Sequence, residues 1–173
     1  MNNSFPFRNI FILLFLFFSV PVFAETIRAV DGDTINYIPT GSKRGANIRL
    51  VGFDTPETKK QYVCKGCGWC PEQKELAIKA KNRLQELIDN PENKARLEQL
   101  PTFDNRGKRR LGVLFINDED VADILIREKL AVKYDCPKNR CPKRIDWCGW
   151  IKRTSFKFEK PKDFCGFTCG KTF

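Results

Sequence analysis

The sequence predicts an α+β fold, mainly β, that ends in a cysteine-rich C-terminal tail. Residues 26–30, 34–38 and 46–53 are rich in β-formers and broken by turn chemistry. Residues 71–89 carry a helical apolar stripe, and beyond Tyr134 the periodicity gives way to Cys, Lys, Arg, Trp and Phe.

In chain order, residues 1–24 read as a cleaved secretory signal, with Arg8, an apolar run over 10–18 and Val22-Phe23-Ala24 as the cleavage site. An uncleaved anchor is the competing reading, but Ser19 and Pro21 break the run short of the roughly 20 residues a span needs. The expectation is a secreted or periplasmic protein. Residues 25–135 then form one domain with a modest core, and 136–173 a disulfide-rich extension packed on it.

The turn residues Pro39-Thr40-Gly41-Ser42 join two strands into a hairpin. By the two-residue period, Ile48 and Leu50 face one side of the returning strand, while Asn47, Arg49 and Val51 face the other. Folding near Ser42 sets Ile35 roughly opposite Arg49 and brings Asp33 toward Asp54. Pro71 opens a helix to about residue 89, with Leu76, Ala80, Leu84, Leu87 and Ile88 on its inner stripe and Asp89-Asn90-Pro91 as its stop. Residues 95–103 and 111–116 read as strands, and Asn117-Asp118 as the cap of a short helix reaching about Lys129.

The chain has 31 basic and 21 acidic residues and no histidine. Removing residues 1–24 takes away Arg8 and no acid, so the net charge falls only from +10 to +9. That excess fits a polyanionic partner. The lack of histidine leaves acid–base work to carboxylates. Eight cysteines, at 64, 67, 70, 136, 141, 148, 165 and 169, read as disulfides in an exported chain. A zinc knot at Cys64, Cys67 and Cys70 is the rival reading, and about 105 connectivities are open.

The chemistry concentrates in Asp31-Gly32-Asp33-Thr34, Arg49 and Asp54-Thr55-Pro56-Glu57. Asp33 and Asp54, with the Thr55 carbonyl, are hard oxygen donors suited to a cation such as calcium. Asp31 is assigned to the turn. Glu57, set off by the rigid Pro56, is placed to align or deprotonate an attacking water. Phosphodiester attack builds charge on phosphoryl oxygens, so guanidinium groups stabilise it. Arg49 is one; the other lies in the basic run from Arg106 to Arg110.

These motifs resemble the staphylococcal nuclease family. The likeness rests on Val30-Asp31-Gly32-Asp33-Thr34, Arg49-Leu50, Asp54-Thr55-Pro56-Glu57, Asp104, Gly107 and the run 121–131, and it spans about residues 26–134. It implies a five-stranded OB-fold barrel with two or three helices, calcium dependence, and hydrolysis of DNA and RNA to 3′-phosphate products. It implies Asp33, Asp54 and Thr55 as calcium ligands, Glu57 as general base and Arg49 as phosphate clamp. Counting from Gly107 selects Lys108 as the second clamp, and counting back from Leu111 selects Arg109; the strand is the firmer ruler, so the reading takes Arg109. Single-stranded substrates, no stable protein partner and a monomer are further expectations.

The competing class is a non-catalytic OB-type nucleic-acid-binding module, for which Tyr37, Tyr134, Trp147 and Trp150 are the stacking candidates. For the tryptophans the plainer assignment is packing beside disulfides. A disulfide-rich toxin or inhibitor rests on the cysteine count alone.

Overall fold

The computed structural model describes residues 24–59, 69–104, 109–136 and 141–154. Most of the signal segment, together with Cys64, Cys67, Cys165 and Cys169, lies outside them.

Eight strands and three helices follow one another along the described chain: β1 (Thr26–Asp31), β2 (Thr34–Ile38), β3 (Ala46–Leu50), β4 (Gly52–Asp54), α1 (Pro71–Asp89), β5 (Ala95–Phe103), β6 (Arg110–Ile116), β7 (Glu119–Asp120), α2 (Val121–Arg127), β8 (Val132–Tyr134) and α3 (Trp147–Thr154). The fold is α+β and mainly β. The main sheet runs β1-β2-β3-β6-β5, with β7 paired to β6, and β4 and β8 form a separate ribbon. All pairings are antiparallel except β3 with β6. Among the described residues the path is open between β1 and β5.

The β2–β3 hairpin turns where the sequence indicates: the Ser42 amide donates to the Pro39 carbonyl at 3.0 Å, and Gly41 takes φ +76°. A positive φ at the third turn position suits glycine. The register differs from the expected one by a single residue. Ile35 pairs with Ile48, and Arg49 with Thr34. Directly opposed residues share a face, so a core Ile35 requires a core partner; both isoleucines are fully buried.

The expected strand over 46–53 is interrupted after Leu50. Val51 still donates to the Gly112 carbonyl at 3.1 Å, and Gly52 then takes φ +91°, which redirects the chain into β4 against β8. This break carries Asp54 out of the main sheet.

Helix α1 has the expected bounds and buries Leu76, Ala77, Ala80, Leu84 and Leu87. These pack against Ile27, Ala29, Ile35, Ile48, Leu50 and Leu114 of the sheet, with Val121, Ile124 and Leu125 of α2 closing the same core. Asn117 and Asp118 do not cap α2. Both have positive φ and form the two-residue turn between β6 and β7, and Asn117 is tied there because its Oδ1 accepts from the Lys94 amide at 2.8 Å. The cap is Asp120, whose carboxylate accepts from the Ala122 amide at 2.8 Å.

The tail also differs from expectation, since residues 147–154 form a helix rather than irregular cover. Its inner face, Trp147, Cys148 and Ile151, joins the core. Two disulfides fall among the described residues, Cys70–Cys148 and Cys136–Cys141. The first joins the N-cap of α1 to α3. With Leu84 fully buried between helix and sheet, Leu84→Ala should cost about 2–5 kcal/mol in urea unfolding. A loss below 1 kcal/mol would show that α1 does not seal the core.

Candidate active site

The site forms where β2, β3 and β6 begin or end side by side. Asp33 precedes β2, Arg49 lies next to last in β3, Asp54 ends β4, and Arg109 precedes β6. Thr34 opposes Arg49 in the β2–β3 ladder, and Arg49 opposes Leu111 in the parallel β3–β6 ladder. The Leu50 amide donates to the Asp33 carbonyl at 2.8 Å, which locks the Asp33 turn to the end of β3.

Arg49 bridges both aspartates. Its Nη1 donates to Asp33 Oδ1 and its Nη2 to Asp54 Oδ1, the latter at 2.8 Å. Asp33 and Asp54 are each only 2% exposed. Asp33 Oδ2 accepts from the Thr55 amide at 3.2 Å, and Asp33 Oδ1 accepts from the Thr34 hydroxyl at 3.2 Å. Asp31 stays in the turn, its carboxylate accepting from the Asp33 amide at 3.2 Å. The turn sits close to its neighbours: a Cβ on Gly32 would lie 2.7 Å from Thr55 Oγ1 and 2.9 Å from Ala80 Cβ. Gly32 therefore lets the Asp33 turn rest directly on α1.

Burial pushes the Asp33 carboxyl well above its ordinary range, opposed by Arg49 and reinforced by Asp31 and Asp54. Two carboxyl groups thus face the single guanidinium of Arg49, and burial favours the neutral form of Asp33. Such a set of hard oxygens, with the Thr55 backbone held against Asp33, fits a small divalent cation whose other positions are filled by water. Among the described residues no group of three or more His, Cys, Asp or Glu side chains converges on a metal position. Any such ion would therefore rest on the aspartate pair and main-chain or solvent oxygens.

Glu57 follows the buried Pro56 and lies beside this cluster. Burial raises its carboxyl above the usual glutamate range, Asp31 and Asp54 add to this, and Arg49 and Arg144 oppose it. Arg109 reaches the cluster from the start of β6. Its Nε donates to Asp104 Oδ2 at 3.0 Å and its Nη1 to Thr34 Oγ1 at 3.4 Å. Thr34 therefore joins Arg109 to Asp33. Lys108, with Arg106 and Gly107, lies outside the described residues.

All six residues singled out in sequence thus belong to one neighbourhood, and three more accompany them. Thr34 stood inside the Asp31-Gly32-Asp33-Thr34 motif without a role. Asp104 was part of the family likeness, and its function as the partner of Arg109 needed the hairpin. Arg144, 3.5 Å from Glu57, had no signal at all. The stacking candidates do not gather here as an open shelf. Trp147 is 2% exposed and meets Trp150 edge-on at 5.4 Å, the Tyr37 hydroxyl donates to Glu25 at 3.1 Å, and the Tyr134 hydroxyl donates to the Pro142 carbonyl at 3.0 Å.

The family described as "Staphylococcal nuclease homologue" matches residues 47–147, more than half of the 173-residue chain. The chain belongs to the staphylococcal nuclease family. It is similar to "Endonuclease YncB" of Bacillus subtilis (strain 168), at 32% identity over 104 residues, covering 60% of this chain and 44% of that protein. It is also similar to "Thermonuclease" of Staphylococcus hyicus, at 31% identity over 123 residues, covering 70% and 66%. The matches span less than two thirds of either relative's length. For a staphylococcal nuclease homologue, the OB-like character of the sheet follows from the family. Asp33 and Thr34 precede the matched segment, and the β2–β3 pairing carries them to Arg49.

Removing the bridging cation should strand two buried carboxylates. Arg49→Met is expected to lose about 3–5 kcal/mol of stability at neutral pH in EDTA, read by urea unfolding. An unchanged midpoint would mean that the acids are neutral or solvated without it.

Proposed function

We propose that this protein is an exported calcium-dependent nuclease that hydrolyses phosphodiester bonds of DNA and RNA and leaves 3′-phosphate ends. The observation that carries the reading is the convergence of Asp33, Asp54, Arg49, Glu57 and Arg109 within a family whose named relatives include an endonuclease and a thermonuclease. Single-stranded substrates, a monomeric state and residues 1–24 as a cleaved signal complete the proposal.

In this mechanism Glu57 takes a proton from the attacking water, whose oxygen forms the new bond to phosphorus as the bond to the 5′ oxygen breaks. The phosphate stays on the 3′ oxygen, and the departing 5′ oxygen takes a proton from solvent water to leave as a hydroxyl. Arg49, which spans the aspartate pair, and Arg109, which reaches it through Thr34, stabilise charge that develops on the phosphoryl oxygens. Thr34 and Asp104 keep Arg109 aimed at that space. Asp33, Asp54 and the Thr55 carbonyl would hold calcium, which when bound supplies Lewis-acid stabilisation of the phosphoryl group. The buried position of Trp147, with Trp150 partly buried against the same core, favours this reading over a stacking-based binding module.

The deciding assay is digestion of single-stranded DNA by oxidised mature protein, with calcium or with EDTA. Glu57→Gln should preserve folding and reduce turnover by about two to four orders of magnitude. Asp33→Ala should weaken calcium binding in titration calorimetry. Undiminished turnover in Glu57→Gln would sink the assignment of the base.

A pH profile makes a separate demand. A base must be ionised to act, and the Glu57 carboxyl is raised by burial. The rate of kcat/KM should therefore fall with decreasing pH at values above the ordinary glutamate range. An acid limb within that ordinary range would contradict burial as the controlling influence.

A further inference from the structure

The C-terminal extension reaches the candidate site through one side chain. Arg144 Nη1 lies 3.5 Å from Glu57 Oε1, with the two side chains 28% and 19% exposed. Among the described residues this is the ion pair made by Glu57. The arginine is not carried on a free end. Cys136–Cys141 closes the chain just before it, and Cys148, near the start of α3, is bonded to Cys70 at the start of α1. The Tyr134 hydroxyl donates to the Pro142 carbonyl at 3.0 Å, and Trp147 and Ile151 are buried in the core on the other side. Residue 144 is thus held from both directions, with little latitude for its backbone.

Glu57 needs such a hold. Pro56 restricts the backbone before it, but a glutamate carboxylate still turns about three side-chain bonds. A base works only within hydrogen-bond reach of the proton it removes, and displacement by about 1 Å can cost on the order of 100-fold in rate. A guanidinium paired with one carboxylate oxygen favours one orientation of the carboxylate and leaves its second oxygen outside that pair.

We propose that Arg144 is a positioning residue for Glu57, delivered to the site by the disulfide-held segment of the extension. The inference rests on Glu57 acting as the base of the proposed nuclease. Arg144 acts through Glu57 and does not itself take part in bond making. A direct grip on the substrate phosphate is the contrasting role, and it makes a different kinetic signature.

The test uses oxidised mature protein with calcium and single-stranded DNA, comparing wild type with Arg144→Gln, Arg144→Ala and Arg144→Lys, each also in the Glu57→Gln background. Arg144→Gln and Arg144→Ala should lower kcat about 10- to 100-fold with KM nearly unchanged, and Arg144→Lys should recover part of the loss. In the Glu57→Gln background the same changes should have no further effect. A rise in KM alone, an undiminished kcat, or an equal loss without Glu57 would each overturn the proposal. Arg144→Gln serves where Arg144→Ala fails to fold. If wild type does not cleave at all, the nuclease reading fails, and the positioning is read instead from the Glu57 carboxyl-carbon resonance in labelled protein. That resonance should move in Arg144→Gln. A resonance that stays in place would overturn the positioning as well.

Discussion

The arrangement depends on one guanidinium placed between two buried carboxylates. Enclosing like charges is unfavourable unless a cation compensates them, and Arg49 meets Asp33 and Asp54 at once. Its place in the central strand β3 makes this possible, because β2 delivers Asp33 from one side and the chain leaving β3 delivers Asp54 from the other. Two carboxyl groups face this one guanidinium. Burial correspondingly favours the neutral form of the Asp33 carboxyl, and an added cation would favour its charged form.

Backbone detail sets the scale of that cluster. The absence of a side chain at Gly32 lets the Asp33 turn approach Thr55 and Ala80, and the positive φ at Gly52 swings β4 away from the main sheet. The first brings the Thr55 amide to Asp33, and the second brings Asp54 to Arg49. The polar line from Arg109 through the adjacent Thr34 and Asp33 and on through Arg49 to Asp54 then joins several chain segments. Each member limits the rotamers of the next, so the site is rigid without being built on one element.

Much of this was legible because strand alternation and turn chemistry are local. The pattern Asn47-Ile48-Arg49-Leu50 faces as expected, α1 has the expected bounds, and Pro39 to Ser42 makes the turn. The misses share a cause. Whether Asn117-Asp118 caps a helix or turns a hairpin depends on β7, two residues that carry no strand signal alone. The register of Ile35 was decided by burial on a common face rather than by counting from Ser42. Helix α3 is held by Cys148 and by Trp147 against the core, contacts that a short helix cannot announce in its own periodicity. Arg144 is invisible for the same reason, since its partner precedes the whole of α1.

The parallel junction of β3 with β6 has a kinetic meaning. It closes a loop that contains all of α1 and β5, so the entropy of that closure must be met before Arg49 and Arg109 can reach the same site. Neither the β1–β2–β3 meander nor the β5–β6 hairpin contains the complete set of groups. Competence is therefore a property of the finished topology and is surrendered when that junction opens.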